Sequence, residues 1–178
     1  MIARCAALLL LAPITPVLGE GVPVVALSEG HRAMAKVGVG AKLPAMVAAT
    51  PAGGEQPVAP LLAGRVGVVV LFDAARAEVG WMTKALLDDL GPDIATPYKP
   101  KGVTTVLVSV GGGPATVKDA LSLVDPAGEA FAALGSGRLP RVYVVNKQSE
   151  IAWFDIEYSN STRRELRQTL DALVDAKE

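Results

Sequence analysis

The sequence predicts an α/β domain, and three of its segments carry that reading. Val66 to Phe72 (VGVVVLF) is an unbroken apolar run of strand length, as expected for a strand covered on both faces. Gly80 to Leu90 (GWMTKALLDDL) follows with helical spacing, pairing Trp81 with Ala85 and Met82 and Leu90 with Leu86. Val103 to Val110 (VTTVLVSV) is a second strand, rich in β-branched residues.

The remaining elements follow in order. Gly91-Pro92 is expected to stop the first helix. Gly111-Gly112-Gly113-Pro114 reads as a turn, and Ala115 to Leu123 as a helix. The turn lacks the lysine and the glycine spacing of a phosphate loop. Asp125-Pro126 resembles an N-cap with proline at the first helical position, which predicts a short helix to Leu134 and a loop from Gly135 to Leu139. Arg141 to Asn146 and Ile151 to Ile156 are two strands joined by four polar residues, hence an antiparallel hairpin. Thr162 to Glu165 reads as a capping box opening a last helix whose apolar stripe is Leu166, Leu170, Leu173 and Val174. Residues 20–36 form a mixed N-terminal arm, helical or irregular, and 37–178 the domain.

Composition narrows function. Hydrophobic residues make up 51% of the 178 positions and aromatics only 4%, so the core is built from aliphatic side chains. Lys plus Arg number 17 against 18 Asp plus Glu, without the basic bias of a nucleic-acid binder. No run of like charge suggests a polyanion or an anionic membrane as partner. The N-terminus reads as a secretory signal peptide over residues 1–19: Arg4, the apolar run Cys5 to Ala12, helix-breaking Pro13 and Pro16, and a cut near Glu20. About a dozen apolar residues are short for a ~30 Å hydrocarbon layer, so a retained anchor is the secondary reading. The expectation is a protein exported to a periplasmic or extracellular space, with no stable membrane insertion after cleavage. Cys5 is the single cysteine and His31 the single histidine. A disulfide is thereby ruled out for the exported part, and neither a metal site nor a cofactor is expected. His31 reads as a solvated arm residue.

Four short motifs carry a family resemblance over roughly residues 37 to 176. Val39-Gly40-Ala41-Lys42-Leu43-Pro44 resembles the V-G-D-x-A-P opening of redoxin domains, the group of peroxiredoxins and TlpA-type thiol–disulfide oxidoreductases. Gly54 with Leu61-Leu62-Ala63-Gly64-Arg65 is similar to the stretch before their central strand. Leu139 to Asn146 resembles their cis-proline loop and the strand after it, and Trp153 to Leu170 resembles the end of alkyl hydroperoxide reductase/thiol-specific antioxidant-like proteins. The resemblance implies a thioredoxin-like fold, β-α-β-α-β-β-α, with a central mixed sheet and helices on both faces. It also implies a site where the central strand meets the following helix. Alignment on Leu87 and Leu90 puts the family's two cysteine positions at Ala77 and Gly80. Thiol exchange needs a thiolate as nucleophile and as leaving group, and neither residue supplies one.

What remains is a candidate binding groove of Arg76, Glu78, Trp81, Leu139, Pro140 and Arg141, with a protein or an extended peptide as the expected partner. Arg76 and Glu78 fit either an anion-binding spot near a helix N-terminus or a local ion pair. Asp155 and Glu157 fit either an acid–base pair or an exposed polar face shared with Trp153. Asn160-Ser161-Thr162 matches a glycosylation pattern, to which the Ala-, Gly- and Val-rich bacterial character of the chain gives no weight. The leading expectation is a non-catalytic binding or structural module. The alternatives are a relative using non-thiol chemistry and one that modulates an active redoxin.

Overall fold

The computed structural model describes residues 21–77 and 79–176, so the expected leader and Glu78 lie outside the described residues. Among the described residues, β1 (Val47–Ala49), β2 (Glu55–Pro57), β3 (Gly67–Asp73), β4 (Thr104–Val110), β5 (Leu121–Asp125), β6 (Arg141–Val145) and β7 (Ile151–Asp155) form one mixed sheet in the order β2-β1-β5-β4-β3-β6-β7. The apolar run of the sequence becomes β3 (Gly67–Asp73), which lies parallel to β4 (Thr104–Val110) and antiparallel to β6 (Arg141–Val145). Every residue of β3 before Asp73 is buried, as a central strand with both faces covered requires. β7 (Ile151–Asp155) closes the hairpin with β6 at one edge. At the other edge lies a small hairpin that the sequence reading did not assign, β1 (Val47–Ala49) and β2 (Glu55–Pro57).

Alternation along the strands divides the core in two. Val69, Leu71, Val106, Val108, Tyr143 and Val145 pack under α2 (Ala59–Leu62) and α5 (Glu129–Leu134). Val68, Val70, Phe72, Leu107, Val142 and Val144 pack under α3 (Trp81–Asp89) and α6 (Asn160–Asp175). Helices therefore cover both faces, as expected.

Four expectations are corrected. Residues 115–123 do not form a helix: β5 (Leu121–Asp125) pairs in parallel with β4 instead. Asp119 stands at φ 63°, outside helical space, and the Ser122 hydroxyl donates to the Ala115 carbonyl. Five ladder pairs to a buried strand outweigh a local helical pattern. Gly91-Pro92 does not stop the helix either. The chain widens into a π-helical turn over Leu90–Ala95, continues as α4 (Thr96–Tyr98) and ends at Gly102 with φ 84°. Such a turn accommodates a proline, which has no N–H to give to the regular ladder. Asp125 caps α5 from one turn ahead, accepting from the Glu129 and Phe131 amides at 2.9 Å each. The last capping box is Ser159 with Thr162, so α6 starts at Asn160.

The N-terminal arm packs against the sheet. Residues 21–28 run as an extended strap in which Val25 touches both halves of the core, and α1 (Glu29–Met34) follows. Lys36 donates its amide to the Leu134 carbonyl, and its ammonium reaches the Ala132 carbonyl at 2.8 Å. Among the described residues, no helix is long and apolar enough to cross a membrane.

Candidate functional site

The site lies where β3 ends. Asp73, its last residue, accepts from the Ala75 amide at 2.9 Å and so caps a 3₁₀ turn over Ala74–Arg76. The same carboxylate lies 3.6 Å from Arg76 Nε, an exposed local ion pair. That arrangement favours the ion-pair reading of Arg76. Glu78 lies outside the described residues.

Ala77 is half-buried against the core under α3, and its amide donates to the Ala74 carbonyl. Gly80 is the N-cap residue of α3, and its amide donates to the Arg76 carbonyl at 2.8 Å. That turn is tight. A β-carbon on Gly80 would stand 2.9 Å from the Arg76 carbonyl oxygen and 3.1 Å from Arg76 Cβ. The second expected thiol position is therefore closed by backbone as well as empty of sulfur.

Two large apolar side chains flank this turn in the open, Val79 at 82% and Trp81 at 70% exposure. The sequence reading singled out Trp81 and did not single out Val79. Behind the turn, the loop after β4 comes close. A β-carbon on Gly112 would meet the Ala74 side chain at 2.5 Å, so this glycine allows the approach.

The β3–β6 register brings in the second wall. Leu71 faces Arg141, so residues 139–140 stand level with the end of β3, where the Ala74–Gly80 segment departs. The Leu139–Pro140 bond is cis, in agreement with the expectation from the resemblance. Pro140 is buried and Leu139 half-buried against the opposite core.

Arg141 departs from the groove expectation, because its side chain is fully buried. Alternation sends it to the face opposite α3. Its guanidinium donates to the carbonyls of Arg138 at 3.0 Å, Met34 at 3.2 Å and Ser136. It also reaches the Tyr143 hydroxyl at 3.4 Å and stacks 5.0 Å from the Phe131 ring centre. Arg141 thus fixes the 136–138 loop and the arm to each other from behind the groove.

The acidic pair is separated. β7 ends at Asp155, so alternation no longer aligns Glu157 with it. Asp155 accepts from Thr162 and from the Ile156 amide, both at 2.7 Å, while burial pushes its carboxyl above the usual range. Glu157 pairs with Arg138 at 2.6 Å and with His31 at 3.2 Å. His31 is therefore no solvated residue: α1 docks it beside the loop that leads to Pro140. Trp153 is buried in the core, not on a polar face. Among the described residues, no cluster of His, Cys, Asp and Glu could hold a metal ion.

No protein-family model matches the sequence, and no curated protein is significantly similar to it. Solved structures are similar in fold. A protein from Bacteroides thetaiotaomicron described as a protein disulfide isomerase is 16% identical with a TM-score of 0.66, over 80% of this chain and 94% of that one. A Chlorobium tepidum protein described as the thiol:disulfide interchange protein DsbE is 16% identical with a TM-score of 0.57, over 78% and 99%. A peroxiredoxin-like protein from Aquifex aeolicus is 13% identical with a TM-score of 0.51, over 75% and 88%. Strand order, cis-proline and these likenesses agree: the chain has a thioredoxin-like fold, and Cys5 is its one cysteine.

Proposed function

We propose that this chain is an exported redoxin-like module that works by binding rather than by thiol chemistry. The ligand is a segment of another protein, held at the mouth formed by Ala77–Trp81 and Leu139–Pro140. The observation that carries the reading is the pair of bare apolar side chains, Val79 and Trp81, beside a turn in which neither Ala77 nor Gly80 offers a thiol. An exposed tryptophan at a helix start is the type of anchor around which interface energy concentrates. Export rests on the leader pattern of residues 1–19. The non-thiol reading rests on the vacant positions Ala77 and Gly80, where a disulfide or peroxide substrate would find no nucleophile.

The test is site-specific photocrosslinking in cells. Benzophenone side chains at positions 79 and 81 should capture one discrete protein, and Pro140→Ala or Trp81→Ala in the background should abolish capture. A benzophenone at the equally exposed Val24 should not capture it. Equal capture from all three positions would defeat the reading, as would thiol–disulfide turnover by the purified chain that survives Cys5→Ser.

A further inference from the structure

The structure assigns a second binding site, apart from the groove, to a small amphiphile. An apolar cleft between the N-terminal strap and edge strand β7, with one cation at its mouth, fits a short alkyl or aryl carboxylate. The cleft has a volume of about 280 Å³. Val25 and Leu27 of the strap form one wall, Val37 and Val39 the other, and Phe154 of β7 the bottom. The four aliphatic side chains pack on the core yet are only half-buried, and part of their remaining surface lines this space. Phe154 is 4% exposed, and its ring stacks 5.5 Å from that of Tyr143, which fixes its plane. A ligand body that covers these walls supplies the apolar burial that the strap leaves incomplete.

Charge selects the head of that ligand. Arg32 is the single charged residue lining the cleft. Its Nη2 lies 3.5 Å from the Leu27 carbonyl oxygen, which places the guanidinium at the rim beside the strap. Arg32 makes no ion pair among the described residues, and Glu29, three positions earlier on α1, does not reach it. The neighbouring cations are engaged elsewhere: Lys36 reaches the Ala132 carbonyl at 2.8 Å, and His31 lies 3.2 Å from Glu157. The remaining guanidinium N–H groups are therefore open to a planar anion, whose two oxygens match their fork. One cation balances one negative charge, as a carboxylate carries.

Volume selects the body. Water occupies about 30 Å³ per molecule in the liquid, so the cleft holds about nine groups of that size, a body of about six to nine carbons. The strap can yield to admit it. Its ends are pinned, by Gln168 Nε2 donating to the Gly21 carbonyl at 3.2 Å and by the Ser28 hydroxyl accepting from the His31 amide at 3.1 Å. Between them, the backbone of Val22 to Ala26 makes no hydrogen bond among the described residues, and side-chain packing seats the stretch. A segment held in this way opens at low cost.

The experiment follows octanoate binding to the isotope-labelled full chain by NMR, at octanoate concentrations too low for micelles. Octanoate protons should show NOEs to the methyl groups of Val25, Leu27, Val37 and Val39. Arg32→Gln should weaken octanoate binding by about tenfold, as expected for loss of a charge-assisted pair. Octan-1-ol keeps the body without the charge. It should bind the parent about tenfold more weakly than octanoate and lose less than about twofold on the same substitution. Arg164→Gln removes another exposed guanidinium, on α6, and should leave octanoate binding within about twofold. The NOEs and the octanol comparison are read on the parent, so they decide the case even where Arg32→Gln disturbs α1. Absence of saturable octanoate binding, octanol binding as tight as octanoate, or an equal loss in both arginine variants overturns the proposal. NOEs to Val79 and Trp81 instead also overturn it and assign the ligand to the groove. Acetate binding as tightly as octanoate overturns it too, leaving a bare anion contact at Arg32.

Discussion

Replacing Arg141 with lysine should destabilise the protein more than replacing it with methionine. The guanidinium is fully buried, and no carboxylate pairs with it among the described residues. Its charge is balanced by three carbonyl dipoles, one hydroxyl and the Phe131 ring. Methionine removes the charge and its desolvation cost, filling similar space. The Met34 carbonyl keeps a second donor in the Ser136 amide at 2.9 Å, and water reaches the exposed residues Ser136 and Arg138. What methionine leaves unpaired is chiefly the Tyr143 hydroxyl, so the loss should be about 2 kcal/mol. Lysine keeps the charge but loses the planar fork, and one ammonium cannot reach acceptors spread over Met34, Ser136, Arg138 and Tyr143. A buried charge stripped of most partners costs about 3–5 kcal/mol. Urea unfolding at constant m-value measures both variants. Lysine within about 0.5 kcal/mol of the parent, or milder than methionine, would refute the account of Arg141 as a carbonyl-bound bolt.

The other expectations are simpler. Gly80→Cys or Gly80→Ala should cost about 1–3 kcal/mol in urea unfolding because its β-carbon meets the Arg76 carbonyl, whereas Ala77→Cys alone should be nearly neutral. Gly135→Ala would drive a β-carbon into the Met34 carbonyl and Arg141 Nη1; the end of α1 should loosen and limited proteolysis between Arg32 and Lys36 should accelerate. Trp81→Ala should change stability by less than about 0.5 kcal/mol, since its side chain is mostly in water, while removing the proposed binding. Burial, aided by the hydrogen bond to Asp171, pushes the Tyr98 phenol up from 10 to about 12. A raised folded-state value means a stabilised neutral phenol: its contribution is intact below pH 10 and is lost as pH rises toward 12. Tyr98→Phe should flatten that alkaline limb in thermal melts.

The strands that bear the site were legible because their apolar runs are long and β-branched, and Val66 to Phe72 admits no other reading. The segment 115–123 was misread because Val117 and Leu121 have helical spacing, while the partner that turns Leu121–Asp125 into a strand, β4, is distant information. The alignment at Ala77 and Gly80 could say that sulfur is missing, but not that the Arg76 carbonyl has closed the space. Arg141 read as a groove cation because it follows a loop proline; the one-residue alternation from Pro140 carries it into the core. His31 meets Glu157 only through the docking of α1, which no local pattern announces.

The π-helical turn over Leu90–Ala95 also sets the phase of everything after it. Each residue advances an α-helix by about 100°, so the extra residue accommodated there determines which way the following turn faces. Upstream of it, Asp89 accepts from the hydroxyl of Tyr158, just ahead of α6, at 2.9 Å; downstream, the Tyr98 hydroxyl donates to Asp171 of α6 at 2.7 Å. Deleting one residue within that turn would leave the first contact in place and swing Tyr98 about 100° from its partner. Lys101 and its bond to Asp171 would turn away with it, so the seating of this segment on α6 depends on a local irregularity halfway along a helix.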